Sequence, residues 1–140
     1  MGRAVNLLVV DGEAMMRARL RAYLELILPS CRVLEAWNGA HALALCASER
    51  PELVLVDIGL PDTNGIALTA RLRALSPAPA VIVISYHDGE DYAARARAAG
   101  ACTYLVKNRL ASELAPALAR ALGIRPRSAS TPGSESSDPA

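Results

Sequence analysis

The stretch from Glu52 to Gly65, ELVLVDIGLPDTNG, limits what this chain can fold into more than any other. Leu53 to Val56 is short and apolar at every position, with valine at every second residue. A strand of that kind is buried on both faces, which happens when helices cover both sides of its sheet. It ends in Asp57 and runs into a Pro-Asp-Thr-Asn-Gly turn. An ionised carboxylate in that place is costly unless it reaches solvent, a metal or a cation. Taken alone, Asp57 is equally well a strand-end residue that caps the following loop. The rest of the chain decides between the two readings.

The same pattern recurs along the chain. Val5–Val10 (VNLLVV) is a buried strand ending at Asp11, and Met16, Leu20, Leu24 and Ile27 mark one face of a helix that stops at Pro29. Cys31–Ala36 is a second strand, and Asn38-Gly39 opens an Ala-rich helix that ends before Pro51. The Asp57 strand comes third, with a helix from about Asn64 to Leu75 behind it. Ala80–Ser85 (AVIVIS) is the most strand-like run, followed by an Ala/Arg helix over Tyr92–Ala99 closed by Gly100. Cys102–Val106 is a fifth strand ending at Lys107, and Leu110–Leu122 a fifth helix. Pro116 is expected in the first turn or so of that last helix, because deeper in it would break the ladder. Five strand–helix repeats specify a parallel sheet with helices on both faces and right-handed crossovers.

Residues 1–123 are expected to form one domain, and at 140 residues the chain is long enough for a full core. Beyond Gly123 the sequence turns rich in Ser and Pro, so 124–140 is expected to be a disordered tail. Fifteen Lys plus Arg against fourteen Asp plus Glu leave a net charge of +1, which argues against a nucleic-acid footprint. No apolar run is long enough to span a membrane, and acids interrupt the N-terminus too early for a signal peptide. Met1-Gly2 resembles a myristoylation start, but Asn6 stands where that motif needs Ser or Thr. Cys31, Cys46 and Cys102 are odd in number and isolated. They are expected to be small buried hydrophobes, consistent with a reducing, cytoplasmic location.

In a doubly wound sheet, ligands bind outside the carboxyl ends of the strands. Asp11, Asp57, Ser85 and Lys107 end four different strands and converge on that edge. Two acids side by side favour a hard cation such as Mg²⁺. A lysine and a hydroxyl suit the oxygens of a phosphoryl group. The chemistry this set points to is phosphoryl transfer to Asp57, its carboxylate the nucleophile and the cations offsetting charge.

On four segments the chain resembles the receiver domains of two-component response regulators. These are the VVDGE opening, VDIGLPDTNGI around Asp57, VIVIS ending at Ser85, and GACTYLVK ending at Lys107. The resemblance covers about residues 5 to 122. It implies a flavodoxin-like α/β fold with strand order 2-1-3-4-5, and phosphorylation of Asp57 by a sensor histidine kinase or phosphotransfer protein in the presence of Mg²⁺. Asp11, Asp57 and the Gly59 carbonyl would then serve the metal, while Ser85 and Lys107 would hold the phosphoryl oxygens. Ser85 and Tyr104 would be the switch residues, re-shaping a face that includes Tyr92, Arg95, Tyr104 and Arg109. Homodimers through the fourth and fifth helices occur among such proteins. The residues after Gly123 are too few for a DNA-binding module, so output to a protein partner is expected, without direct nucleic-acid or membrane contact.

Three positions depart from the family pattern. Asp11-Gly12 replaces an acidic pair, with Glu13 expected to serve the first helix N-terminus, so weak Mg²⁺ affinity and slow phosphorylation are expected. Tyr86 follows the hydroxyl where a small residue is usual; it either screens Asp57 or lies on the surface as a contact residue. Asn108 follows Lys107 where many relatives have proline, so a trans bond is expected. His87 lies in a loop beside an acid, which does not suit a relay histidine. Gly12 and Tyr86 also keep a second reading open, a pseudo-receiver that binds a protein partner without phosphorylation.

Overall fold

The computed structural model describes residues 5–124. Met1, Gly2 and, apart from Ile124, the expected tail lie outside the described residues. Strands β1 (Asn6–Val10), β2 (Arg32–Ala36), β3 (Leu53–Asp57), β4 (Ala80–Ser85) and β5 (Thr103–Val106) alternate with helices α1 (Ala14–Ile27), α2 (Gly39–Glu49), α3 (Gly65–Arg73), α4 (Glu90–Ala98) and α5 (Leu110–Leu122). All pairings are parallel and the strand order is β2-β1-β3-β4-β5, the expected flavodoxin-like arrangement.

The period-two pleat divides the core into two layers. Leu7, Val9, Leu53, Leu55, Ile82 and Ile84 face α1 and α5, meeting Leu20, Leu24, Ile27, Leu114 and Leu118. Leu8, Val10, Val54, Val56, Val81 and Val83 face the other way, onto Ala42, Cys46, Leu68, Leu72 and Ala96 of α2, α3 and α4. Every residue from Leu7 to Val10 and from Leu53 to Val56 is fully buried. That is why these strands lack a polar face.

Three expectations need correction. Pro116 lies well inside α5, not in its first turn. It is tolerated because Pro116 and Ser112, whose carbonyl loses its helical donor, both face solvent, while Leu114, Ala117 and Leu118 hold the other side on the sheet. Helix α4 begins at Glu90, two residues before Tyr92, with Glu90 and Asp91 in the first turn where acids favour the helix dipole. Of the cysteines, only Cys46 is buried; Cys31 is half-buried and Cys102 exposed. Burial pushes the Cys46 thiol up to about 11.

The loop after β3 depends on one glycine. A Cβ on Gly65 would collide with the Asp57 carbonyl oxygen and fall 2.7 Å from the Ile58 Cα, while the Gly65 N–H bonds the Ile58 carbonyl at 2.8 Å. The Gly65→Ala variant is therefore expected to lose about 1–3 kcal/mol, as overpacking against backbone does. A lower midpoint in urea at unchanged slope would show it; an unchanged midpoint would mean that the loop relaxes freely.

Candidate functional site

Strand register sets the site. Asp57 pairs with Ile84 and Ser85 with Val106, so Asp57, Ser85 and Lys107 emerge within one rung of each other at the carboxyl edge. Asp11 leaves the neighbouring strand β1, tied by its N–H to the Ala36 carbonyl at 3.1 Å. The four side chains line one open cavity of about 590 Å³ with Gly12, Glu13, Gly59, Pro61, Tyr86 and His87.

Lys107 is the electrostatic centre. Its ammonium lies 3.1 Å from Asp11 Oδ2 and 3.4 Å from Asp57 Oδ1. Burial alone would lower the Lys107 pKa, but the charges of Asp57 and Asp11 and their hydrogen bonds outweigh it and hold it above its ordinary value. Burial raises the Asp57 carboxyl above the usual range. Lys107 and the Gly59 N–H only partly offset this, and the like charge of Asp11 adds to it. Asp57 is thus an anion kept in place at a cost, and the most exposed of the three charges, its side chain 13% accessible against 2% for Lys107 and 1% for Asp11.

Asp11 has little left to offer. Its Oδ1 accepts the Glu13 N–H at 2.8 Å, its Oδ2 accepts from Lys107, and its carbonyl accepts from Arg17 Nη1 at 2.7 Å. Arg17 in turn meets Glu35 of β2 at 3.3 Å, and Arg21 meets the other Glu35 oxygen at 3.0 Å. Arg17, missed in the sequence, comes one turn after Glu13, which is the spacing that lets a long side chain reach back to a strand end. Asp62 was missed as well. Its two oxygens accept the Gly39 and Ala40 N–H groups at 2.8 and 3.0 Å, so the loop after Asp57 caps α2 from outside, beside the local Asn38 cap.

The donor set fits a hard cation only loosely. The Asp57 carboxylate and the Gly59 backbone stand in the cavity, but both Asp11 oxygens are engaged and Gly12 supplies no side chain. Glu13 is the residue before α1, and its backbone N–H, not its carboxylate, serves Asp11. Among the described residues no group of three His, Cys, Asp or Glu side chains could hold a metal ion. Such a set suits Mg²⁺ that keeps most of its waters.

The loop after β4 closes one side. Ser85 Oγ accepts the His87 N–H at 3.0 Å, and the His87 carbonyl accepts the Tyr104 hydroxyl at 2.6 Å. The His87 ring stacks on Tyr92 at 4.7 Å, and the Tyr86 ring, 65% exposed, has the Lys107 ammonium 4.6 Å from its centre. The Lys107–Asn108 bond is trans, as expected.

Known proteins place this arrangement. The family model of the response regulator receiver domain matches residues 7–119. The positive alginate biosynthesis regulatory protein of Pseudomonas aeruginosa is 42% identical over 119 residues, 84% of this chain and 47% of its own length. The receiver domain of the putative response regulator NarL from Mycobacterium tuberculosis superposes with a TM-score of 0.79 at 30% identity, covering 88% of this chain and all of that one. A response regulator from Burkholderia pseudomallei, solved with a phosphorylated aspartic acid, calcium ion and citrate, gives a TM-score of 0.71 at 30% identity, covering 82% of this chain and 65% of that one. The chain spans about half the length of the curated relatives it matches. No described helix is long and apolar enough to cross a membrane.

Proposed function

The chain belongs to the response regulator receiver family of two-component systems, and on that footing we propose that it accepts a phosphoryl group on Asp57 and signals to a protein partner. The observation that carries this reading is the placing of Lys107 between two carboxylates, with the outer one, Asp57, facing the cavity mouth.

The donor is a phosphohistidine of a sensor kinase or phosphotransfer protein, the partners with which receiver domains interact. An Asp57 carboxylate oxygen attacks phosphorus, the P–N bond breaks, and the departing imidazole keeps the electron pair and takes a proton from solvent. Lys107 donates to one phosphoryl oxygen. Ser85 already accepts the His87 N–H, so its own hydroxyl proton is free for another. Receiver domains generally bind Mg²⁺ for this reaction, and a bound ion would offset the charge gathering on the phosphoryl oxygens. Asp57, Asp11 and the Gly59 carbonyl would hold it, weakly, since Gly12 adds no ligand. The phosphorylated aspartate and calcium ion of the Burkholderia pseudomallei relative support this assignment.

Once Ser85 turns to the phosphoryl group, its bond to the His87 N–H changes. The His87 carbonyl passes that change to Tyr104, on a face shared with Tyr92, Arg95 and Arg109. A downstream protein or a second copy would read that face. Incubation with acetyl phosphate and Mg²⁺ tests the proposal: the intact chain is expected to gain the mass of one phosphoryl group, and Asp57→Asn none. Without any gain, the engaged Asp11 and the Tyr86 ring favour the second reading, an interaction module that works without phosphate.

A further inference from the structure

The loop Tyr86–Asp88 is fastened at each of its three residues to the segment that starts at β5. Tyr86 lies over Lys107, the His87 carbonyl holds the Tyr104 hydroxyl, and both Asp88 oxygens take the Arg109 guanidinium, at 3.2 and 3.3 Å. The last is a two-pronged fork, the geometry in which arginine fixes a carboxylate in orientation as well as place. Arg109, the residue before α5, is itself braced by Glu113 of that helix, 3.4 Å from its Nε.

We infer that Asp88 and Arg109 form a latch holding the Tyr86 ring across the mouth of the Asp57 cavity, which makes Arg109 a positioning residue for access to Asp57. Neither latch residue lines the cavity. Their action passes through Tyr86, two residues from Asp88 and set over the one cation of the site. The latch is light, because both side chains are largely solvated, at 44% and 68%. Exposed pairs of this kind shift an equilibrium by about two- to fivefold, and salt weakens them. The cavity is therefore shaded rather than sealed, and ionic strength tunes the shading.

The inference rests on Asp57 as phosphoacceptor only for its consequence, and two measurements separate the questions. The first is NMR on the intact chain. Ring current from Tyr86 displaces the Lys107 ε-methylene protons upfield. Arg109→Gln and Asp88→Asn, the second leaving the Arg109–Glu113 pair intact, are expected to move them part of the way toward their position in Tyr86→Ala. Added salt should do the same to the unsubstituted chain. The second is labelling by acetyl phosphate at low ionic strength. Both latch variants are expected to react about two- to fivefold faster than the parent, while Arg109→Gln adds nothing in a Tyr86→Ala background. That background also supplies the salt effect that has no connection with the latch. Lys107 resonances that ignore both latch variants would overturn the inference, as would an Arg109→Gln effect that persists without Tyr86. If no form of the protein takes up phosphate, the phosphoacceptor reading fails, and the resonances alone decide the latch.

Discussion

Replacing Lys107 with methionine is expected to cost about 3–5 kcal/mol at pH 7 in metal-free buffer, the usual result of removing one partner from a buried ion pair. For a domain of this size that is roughly 10–20 °C in Tm, read by circular dichroism. The reason lies in the charge count of the cavity. Asp11 and Asp57 both lean on one ammonium, at 3.1 and 3.4 Å, and Asp11 is completely buried. Methionine keeps the bulk of the stem but leaves two carboxylates facing each other. The pH dependence gives the sign. Asp57 is already raised by burial, and without Lys107 it rises further. An acid whose folded pKa lies above its unfolded value destabilises the fold when ionised, and the penalty fades as pH falls through the folded value. The deficit should thus be largest near neutrality and shrink as pH falls through the raised Asp57 value. In the same way, Lys107 stabilises the native chain while protonated, and that contribution goes only as pH rises through its raised value. A variant as stable as the parent at pH 7 would show that water already screens both acids.

Gly12→Asp is expected to tighten Mg²⁺ binding by about tenfold or more, because divalent affinity follows the number of charged ligands and each tenfold needs only about 1.4 kcal/mol. The backbone at Gly12 is not left-handed, so an aspartate can adopt it. The added Cβ would come 3.1 Å from Pro61 Cδ, and that ring must give by a few tenths of an ångström. Isothermal titration with Mg²⁺ reads the affinity. Thermal unfolding supplies a second check: the third acid should lower stability without metal, and Mg²⁺ should restore it in proportion to the tighter binding. An unchanged Kd would mean that Gly12 is not where the missing ligand belongs.

These two residues show where sequence reading succeeds and where it stops. The strands were legible because each is a short apolar run whose alternate residues serve two core layers, and strand ends fix the carboxyl edge. Asp11, Asp57, Ser85 and Lys107 could therefore be gathered from four places before any distance was known. Helix interiors were harder. Pro116 was assigned by a rule about the ladder, but the outcome turned on which way the helix faced. Asp91 is a poor helix former in general and a good one at an N-terminus, so the start of α4 was hidden. Cys102 immediately precedes the fifth strand, its N–H on the Val81 carbonyl but its side chain in water. The least legible were contacts that tie a loop to a distant part of the chain: Asp62 with α2 and Asp88 with Arg109. Each joins residues whose separation along the chain says nothing about their meeting in space, whereas Arg17 had its spacing from Asp11 as a signal. His87, set aside as a relay, proved a backbone junction, with its N–H on Ser85 and its carbonyl on Tyr104.

The loan of Asp62 to α2 has a further consequence for assembly. Helix α2 has no acid in its own first turn, and two of its leading amides find their acceptor only in a residue on the far side of β3. Those amides gain their protein acceptor only where β3 lies beside β1 and its following loop returns to α2. The front end of the helix is thus completed by tertiary structure rather than by its own sequence, along one seam that starts at Asp57.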